Sequence, residues 1–364
     1  MKNSFGNHLS LTLFGESHGP YIGITIDGLP AGIEIDMQQI QADLDLRKPK
    51  NKLSTARKEE DDFEIISGYF NHHTTGTPLT ILIANKAQNS ADYTGKQYIL
   101  RPSHADYTAF EKYHGFQDYR GGGHFSGRLT ACIVAAGSIC RQILKQKNIH
   151  IGSHLEQIYT VKDDCFHTSS DILLSQIEAM NQKDFAVLNP EVEAKMKDVI
   201  VEASCHNDSV GGVIETAIVN LPTGLGEPFF DSIESILSHL LFSIPAVKGV
   251  SFGEGFGFAS LYGSQANDAF VSKNEQIQTK TNHNAGINGG ISNGMPVLIH
   301  TVIKPTPSIA KMQETVNYLN KEETEIKIQG RHDPCIVHRA RVVVDSICAF
   351  GILDLLMEKE VRAL

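Results

Sequence analysis

Apolar and polar residues alternate along five short stretches of the chain, a pattern typical of β-strands that are buried on one face. Strands are predicted at residues 9–14, 22–27, 79–84, 211–220 and 297–303. Their irregular spacing differs from the regular strand–helix repeat of a dinucleotide-binding domain. The pattern therefore predicts strands that belong to another arrangement of α and β elements.

Helical periodicity, with apolar residues three or four positions apart, marks six further stretches. They cover residues 37–46, 128–146, 171–182, 191–204, 230–242 and 340–358. Asp36, followed by Gln39, gives a weak capping signal for the first of these helices. Residues 128–146 are rich in Ala, Gly, Ser and Cys, and small residues let helices pack closely. We therefore expect this helix to lie at the centre of a mixed α and β protein.

The length and composition are those of an ordered protein with an ample core. Of the 364 residues, 41% are hydrophobic and 20% are charged. Length alone would allow about two domains. No Pro/Ser-rich linker or long charge block divides the chain, so we expect a single domain over residues 1–364. No run of about 18 apolar residues occurs, which predicts that no segment spans a membrane.

The charge balance disfavours nucleic acid as a partner. The chain has 32 basic and 42 acidic residues, a net charge of −10, which argues against a broad nucleic-acid-binding surface. Six Lys or Arg residues fall between Arg47 and Lys58. Such a run is usually a solvated loop, with phosphate binding as the alternative. Aromatic residues are not interleaved with it, so an RNA-binding module is disfavoured.

The cysteines predict a reduced protein without a metal site. Six cysteines are scattered without paired spacing, and the chain begins with a polar segment and no signal peptide. This predicts free thiols and a cytoplasmic location. Cys335 with His338, and Cys165 with His167, have metal-like spacing. Neither pair has a matching second pair nearby, so no metal site is expected.

Three polar blocks carry the candidate chemistry. They are FGESHG at residues 14–19, RPSHADYT at 101–108 leading into DYRGGG at 118–123, and GRHDPC at 330–335. The first places an acid, a hydroxyl and an imidazole between two glycines just after a predicted strand. Glycine lets the backbone approach a ligand closely, so the block is expected at the rim of a sheet.

Two glycine clusters lack the spacing of nucleotide-binding motifs. Residues 121–128 (GGGHFSGR) precede a predicted helix, whose N-terminus favours anions. Gly122 and Gly127 have the gap of a Walker-type loop, but Arg128 and Leu129 replace the required Lys and Ser/Thr. Residues 253–257 misplace the third glycine of the dinucleotide fingerprint. Nucleoside triphosphate and dinucleotide sites are therefore disfavoured.

In order and spacing, the three blocks resemble the chorismate synthase family. The resemblance runs from about residue 5 to about residue 355 and includes blocks at 208–212, 246–250, 289–292 and 304–309. It implies an α+β fold, a β-α-β sandwich with antiparallel sheets and helices between and around them. It also implies a homotetramer that eliminates phosphate from 5-enolpyruvylshikimate-3-phosphate to give chorismate. That reaction requires reduced FMN, with NADPH as a candidate flavin reductant.

The resemblance assigns catalysis to three residues. His18 would lie near the departing phosphate, His104 near the reduced flavin, and Asp333 would act as a base toward flavin N5. An imidazole of pKa about 6.5 suits proton donation near neutrality. The two histidine roles are similar enough to be exchanged, and the sequence leaves that choice open. Pro334 restrains the backbone of Asp333, so its carboxylate can be aimed.

The resemblance also assigns the ligand contacts. Guanidinium groups suit the phosphate and carboxylates of the substrate, whose expected contacts are Ser17, Arg47, Arg128 and Arg339. A lysine, hydroxyls and free backbone amides can hold a flavin phosphate or ring oxygen. The expected flavin contacts are His124, Phe125, Ser126, Pro245, Ala246, Gly289, Lys304, Pro305, Thr306, Pro307, Ser308 and Arg331.

Four positions depart from the family pattern and bear on flavin affinity more than on the chemistry. His124 replaces an arginine, Ala285 a glycine, Leu53 an arginine and His338 a proline. A charged imidazole near the anionic groups of the flavin would favour binding. Because an imidazole loses its charge above a pH of about 6.5, we expect the flavin affinity to weaken as the pH rises past that value. The alternative function is a flavin- and anion-binding relative that has lost catalysis. The intact catalytic positions disfavour it.

Overall fold

Two five-stranded antiparallel sheets enclose a layer of helices. The computed structural model describes residues 3–50, 53–54, 60–86, 97–167, 169–273, 275–328 and 332–362. The strands are β1 (Ser4–Phe5), β2 (Ser10–Gly15), β3 (Tyr21–Asp27), β4 (Phe63–Ser67), β5 (Tyr69–Phe70), β6 (His73–Thr74), β7 (Leu79–Ala84), β8 (His150–Ile158), β9 (Val161–Lys162), β10 (Gly212–Val219), β11 (Val247–Phe252), β12 (Phe270–Lys273), β13 (Gln276–Thr279), β14 (Ile287–Asn288), β15 (Ile291–Ser292), β16 (Val297–Ile303), β17 (Gln313–Val316) and β18 (Glu323–Ile326). The helices are α1 (Met37–Arg47), α2 (Asp106–Tyr113), α3 (Thr130–Gln146), α4 (Ser170–Asn181), α5 (Pro190–Cys205), α6 (Ile233–Ser243), α7 (Gly263–Ala266) and α8 (Val337–Arg362).

The first sheet has the strand order β1-β2-β3-β7-β4. Its strands alternate as the sequence predicts, because every second residue of β7 (Leu79, Ile81 and Ile83) is buried and those between are partly exposed. Ile24 of β3 pairs with Ile81 across the sheet and is also buried. The inner face of this sheet packs against α3. The strands predicted at 9–14, 22–27 and 79–84 are confirmed.

The second sheet has the order β11-β16-β10-β8-β9. Its strands β10 and β16 confirm the predictions at 211–220 and 297–303. Strand β8 escaped prediction because its interior is polar: Ser153 and His154 are fully buried. Neighbouring strand β10 satisfies both side chains, through Thr216 at 2.8 Å and Glu215 at 2.6 Å. Hydrogen bonding thus satisfies the interior of β8, which lacks the apolar alternation typical of a buried strand.

Helix α3 lies at the centre, as its small residues predict. It contacts β3 and β7 of the first sheet, β8 of the second sheet, and helices α1 and α8. At Gly137 the backbone of α8 comes so close that an added Cβ would lie 2.5 Å from the Cα of Ser346. The absence of a side chain therefore sets the distance between α3 and α8.

The remaining predicted helices are also present, and side-chain caps mark the first residues of α1 and α5. Asp36 accepts hydrogen bonds from the backbone N–H groups of Gln38 and Gln39 and so caps α1. Asn189 caps α5 in the same way, with Pro190 at its first turn. Helix α8 is longer than predicted and covers Val337–Arg362.

One hydrophobic cluster extends through all three layers, from Leu9 and Ile24 in the first sheet through Val134 of α3 to Leu155 in the second sheet. The predicted β-α-β sandwich is therefore confirmed. All six cysteines are free thiols, and burial raises the pKa of Cys140 to about 12. Among the described residues, no helix is both long and apolar enough to cross a membrane.

We predict that Gly137→Ala destabilises the protein. A methyl group on an exposed helical glycine would add up to about 1 kcal/mol of stability. Here it meets the backbone of α8, and overpacking of this kind costs about 1–3 kcal/mol. Thermal unfolding should therefore show a lower midpoint. The control is Gly263→Ala in α7, where no atom lies within 4 Å of the added Cβ. Equal midpoints for the two variants would contradict the proposed contact.

Candidate active site

His18 lies in the turn that joins β2 to β3, at the edge of the first sheet. Gly19 N donates to the carbonyl of Glu16 over 3.0 Å and closes the turn. The side chain of His18 is buried, and its Nδ1 lies 3.2 Å from the hydroxyl of Ser17. Ser17 N donates to the carbonyl of Gly123 over 3.1 Å. The first polar block therefore lies at the sheet rim as predicted, against the triple-glycine loop.

The triple-glycine loop packs directly on the imidazole of His18. Gly121 has a φ of +63°, and a Cβ at this position would lie 2.5 Å from Cε1 of His18. Gly123 has a φ of +52°, and its Cβ would meet the carbonyl of Asp118 at 2.3 Å. These positions require glycine for two reasons, the left-handed backbone and the lack of space.

His104 is held by Asp106 and is connected to this loop through Arg101. Its Nδ1 lies 2.9 Å from Oδ1 of Asp106. Arg101 donates to the same carboxylate from Nε (2.8 Å) and Nη2 (2.6 Å), and to the carbonyl of Gly121 (2.8 Å). The two histidines are thus linked through Arg101 and Gly121.

The Asp106 carboxylate remains ionised because of these contacts. Burial alone would raise the pKa of Asp106, but hydrogen bonds from Arg101 and His104 outweigh burial and hold it well below its usual range. A carboxylate at Nδ1 fixes the orientation of the imidazole and directs Nε2 away from the contact.

The predicted base and three predicted substrate residues form one ion network. Asp333 accepts a 2.6 Å hydrogen bond from Arg339, whose Nε donates to the backbone carbonyl of Arg47 over 2.9 Å. Arg47 pairs with Oδ2 of Asp61 at 3.1 Å, and Arg128 pairs with Oδ1 of the same carboxylate. Arg47, Asp61 and Arg128 are all buried.

Asn85 extends this network to the turn that carries His18. Arg128 Nε donates to its Oδ1 over 3.0 Å. The Nδ2 group of Asn85 donates to the carbonyls of Glu16 (3.0 Å) and Gly19 (2.9 Å). A continuous path of polar contacts therefore connects Asp333 with the His18 turn.

Sequence reasoning missed Asp61 and Asn85. Asp61 belongs to the acidic run that follows the basic loop, and such runs are normally solvated. Asn85 directly follows the strand predicted at 79–84, where an isolated amide resembles any strand end. The only sequence signal was the proximity of each residue to a recognised segment. The partners of Asp61 and Asn85 come together only when the chain folds.

Two predicted flavin residues lie beside the His104 block. Ala246 has a φ of +75°, and its carbonyl accepts the backbone N–H of Lys304 over 2.9 Å. The Lys304 ammonium donates to the carbonyl of Ser103, next to His104, over 2.9 Å. Burial and the nearby charge of Lys248 lower the pKa of Lys304. Two lysines close together make this region electropositive.

Residues 208–212 anchor the predicted flavin loop and the Asp333 segment together. Ser209 Oγ donates to the carbonyl of Thr306 over 2.7 Å, and Val210 N donates to that of Pro334 over 2.8 Å. The hydroxyl of Thr306 is buried and has no hydrogen-bond partner among the described residues. A buried hydroxyl without a partner is unusual and indicates a place for a ligand group.

Two of the three predicted contacts on the triple-glycine loop, His124 and Ser126, turn toward the protein. His124 Nδ1 lies 2.8 Å from the carbonyl of Gly15. Ser126 Oγ accepts the backbone N–H of Arg128 over 3.2 Å and caps the short 3₁₀ helix Gly127–Leu129. The Phe125 ring makes an edge contact with Tyr113 at 6.1 Å and is 40% exposed.

The other predicted flavin contacts that the structure describes lie in several separate loops. Pro245 is exposed, between α6 and β11. Gly289 occupies the turn between β14 and β15 with a φ of +63° and open space beside its Cα. Pro305, Pro307 and Ser308 lie with Thr306 in the loop after β16. Arg331 lies outside the described residues.

The departures from the family pattern are accommodated locally. Leu53 is buried in the core, where an arginine would need a partner. Ala285 is buried with a φ of +54°, a conformation that suits glycine better. His338 Nε2 lies 2.9 Å from Ser54 Oγ, and burial together with Arg339 lowers its pKa to about 4. His338 is therefore neutral at pH 7 and adds no charge beside Asp333.

A cleft of about 550 Å³ opens beside the ion network. Its charged lining combines both signs: Asp45, Lys48, Lys50, Glu60, Asp61, Asp62, Lys86 and Arg128. Lys86 pairs with Glu60 at 2.9 Å and with Asp62 at 2.8 Å on the exposed side. The described residues contain no group of three or more His, Cys, Asp and Glu side chains that could hold a metal ion.

Fold and site together define a class: a β-α-β sandwich protein whose histidines, arginines and aspartates converge at the ends of its sheets. The chain belongs to the chorismate synthase family, because the family model matches residues 9–357. A chorismate synthase of Dehalococcoides mccartyi is 44% identical over 356 residues, covering 98% of this chain and 96% of the relative. One of Thermococcus gammatolerans is 43% identical over 360 residues, 98% of each chain. A crystal structure of chorismate synthase matches with a TM-score of 0.77 and 27% identity, covering 98% of this chain and 93% of the other.

We predict that Asp106→Asn lowers stability in a pH-dependent way. The folded-state pKa of Asp106 lies, despite burial, below the ordinary value of 3.8, because Arg101 and His104 hydrogen-bond to the carboxylate. The stabilisation of the folded state by ionised Asp106 is therefore complete above about pH 4. It is lost as the pH falls through the folded-state pKa. Hydrogen bonds to a charged group contribute about 1.5–3 kcal/mol. The gap in melting temperature between wild type and variant should be full at pH 7 and shrink toward pH 3.

The control for this measurement is Asp184→Asn. Asp184 forms an exposed ion pair with Lys50 at 2.6 Å, and such pairs contribute about 0–1 kcal/mol. Its melting curve should follow that of the wild type at both pH values. A gap for Asp106→Asn that does not change between pH 7 and pH 3 would contradict the charged role of this carboxylate.

Proposed function

We propose that this protein is a chorismate synthase, a carbon–oxygen lyase that eliminates phosphate from 5-enolpyruvylshikimate-3-phosphate with reduced FMN. The observation that carries the proposal is the polar path from Asp333 through Arg339, Arg47, Asp61, Arg128 and Asn85 to the His18 turn. Membership of the chorismate synthase family supports it independently.

The arginines provide the cationic surroundings that this substrate requires. The substrate carries a phosphate and two carboxylates, and planar guanidinium groups bind such anions in pairs of hydrogen bonds. Arg339 is half-buried beside Asp333, whereas Arg47 and Arg128 are buried and share Asp61. We propose that Arg339, together with Arg128 where it lines the cleft, contacts the anions. The shared carboxylate fixes the directions of the Arg47 and Arg128 groups.

Reduced FMN fits beside Lys304 and Thr306. The Thr306 hydroxyl lacks a partner in the described chain, and Lys304 with Lys248 offers positive charge for the flavin phosphate or an anionic ring. When bound, the reduced flavin would supply transient electron density to the allylic carbon. The protein residues bind both molecules, orient them and exclude water.

Proton handling falls to His18, His104 and Asp333. His18 is buried against Gly121 and would protonate the departing phosphate, whose last pKa is about 6. His104, oriented by Asp106 and next to Lys304, would serve the flavin. Asp333, steered by Arg339, would accept a proton beside the flavin. This arrangement favours the original assignment of the two histidines over the exchanged one.

From the family resemblance we also propose that the protein is a cytoplasmic homotetramer with one catalytic domain over residues 1–364. It would act on small-molecule substrates and have no nucleic-acid or membrane partner. Self-reduction of the flavin by NADPH is an optional activity of the same site. The continuous core across both sheets supports the single domain.

Phosphate release from 5-enolpyruvylshikimate-3-phosphate tests the function. The purified protein is mixed anaerobically with substrate, with reduced FMN, oxidised FMN or no flavin. Chorismate and phosphate should appear together only with reduced FMN. Tight flavin and substrate binding without product would instead identify a binding relative that has lost catalysis.

We predict that His18→Ala and His104→Ala each lower turnover by roughly 100- to 10,000-fold, the range for loss of a general acid or base. Binding of flavin and substrate should change less than turnover. The control is His206→Ala, an exposed residue that follows α5. Steady-state kinetics give both quantities. Near-normal turnover of either variant would remove that histidine from the mechanism.

We predict that Asp333→Asn retains ligand binding but loses turnover. Asparagine keeps the shape of the side chain and can still accept a hydrogen bond from Arg339, but it is not basic. Flavin and substrate affinities, measured by fluorescence, should stay within a few-fold of wild type. Turnover should fall by roughly 100-fold or more. Wild-type turnover in this variant would mean that the base lies elsewhere.

A further inference from the structure

Asn85 occupies the point where the His18 turn and the ion network meet. It directly follows β7, and its backbone N–H donates to the carbonyl of Pro20 over 3.0 Å. Its side chain is 9% exposed, so bulk water does not compete for its hydrogen bonds. Asn85 is therefore a nearly buried residue that packs against the turn carrying His18.

The orientation of its amide follows from its neighbours. The NH₂ group faces two carbonyl oxygens, those of Glu16 and Gly19, at 3.0 and 2.9 Å. The amide oxygen faces the Nε–H of Arg128 at 3.0 Å. If the amide were flipped, its NH₂ group would face the Nε–H donor of Arg128. Its oxygen would then face the carbonyl oxygens of Glu16 and Gly19. The network thus admits a single orientation.

Only asparagine satisfies this geometry among side chains of its size. It donates twice to the residues that bracket Ser17 and His18, and it accepts once from Arg128. Aspartate has no donor for the carbonyls, and serine has only one. Alanine leaves all three partners without this contact. Neither the motif blocks nor the family resemblance assigned Asn85 a role.

We propose that Asn85 is a positioning residue that sets the catalytic turn of His18 in register with the anion-binding guanidinium of Arg128. This inference rests on the proposed function. A histidine that protonates a departing phosphate must be held at a fixed distance from the arginine that shares that phosphate. Small misplacements of reacting groups cost large factors in rate.

Two variants separate this role from simple stabilisation. Asn85→Ala releases the turn but leaves the charge of Arg128 intact, so kcat should fall roughly 10- to 100-fold with KM and the Kd of inorganic phosphate nearly unchanged. Asn85→Asp places a negative charge against Arg128 and two carbonyls. It should lower kcat similarly and also weaken phosphate binding about tenfold, because the carboxylate offsets the guanidinium charge.

The measurements are steady-state kinetics with reduced FMN and calorimetric titration with inorganic phosphate at pH 7, on samples shown to be folded by circular dichroism. The matched control is Asn181→Asp on α4, which packs on the second sheet. Asn181 Nδ2 likewise donates to a backbone carbonyl, that of Ile151, at 3.2 Å. Its kcat and phosphate affinity should equal those of wild type.

The outcomes are distinct. Folded Asn85→Ala with wild-type kcat overturns the proposal, as does equal phosphate affinity in wild type and folded Asn85→Asp. If Asn85→Asp does not fold, the kcat-against-KM comparison for Asn85→Ala decides alone. If wild type binds phosphate but releases none from the substrate, the proposed function fails, and the phosphate titrations still test the coupling of Asn85 to Arg128.

Discussion

The buried carboxylate of Asp61 is the constraint on which the rest of the site depends. One side chain, fully shielded from solvent, pairs with both Arg47 and Arg128 and leaves the cluster with one net positive charge. Removing one partner of a buried ion pair costs several kcal/mol, because a charge then remains in a medium of low dielectric constant. Arg47 ends α1, and Arg128 stands just before α3. The ends of two central helices are therefore held against the loop that precedes β4.

From this centre the contacts extend in two directions. On one side, the backbone of Arg47 holds Arg339 at the start of α8, and Arg339 holds Asp333. On the other side, Arg128 reaches the His18 turn through Asn85. The core helices and the catalytic candidates thus share the same supports. Packing faults between α1, α3 and α8 would shift the chemistry as well as lower the stability.

The sequence predicted what depends on local pattern and missed what depends on distant partners. Apolar and polar residues alternate along strands such as β3 and β7, so these strands were predicted. The small residues of α3 likewise predicted its central position. Strand β8 was missed because Ser153 and His154 are satisfied by β10, more than sixty residues away. The three motif blocks were recognisable from the sequence. Asp61 was not, because its ion pairs form only when the chain folds and α1 and α3 bring Arg47 and Arg128 next to it.

Burial also divides the positive charges of the site by their response to ionic strength. Lys48, Lys50 and Lys86 line an open cleft, where salt screens charges over a Debye length of about 8–10 Å. The side chains of Arg47, Asp61 and Arg128 are buried, so salt screens their ion pairs much less. Added salt should therefore weaken the pairs of Lys86 with Glu60 and Asp62 more than the pairs inside the cluster. Ionic strength thus separates the surface charges of the cleft, which salt can loosen, from the buried charges that hold α1 against α3.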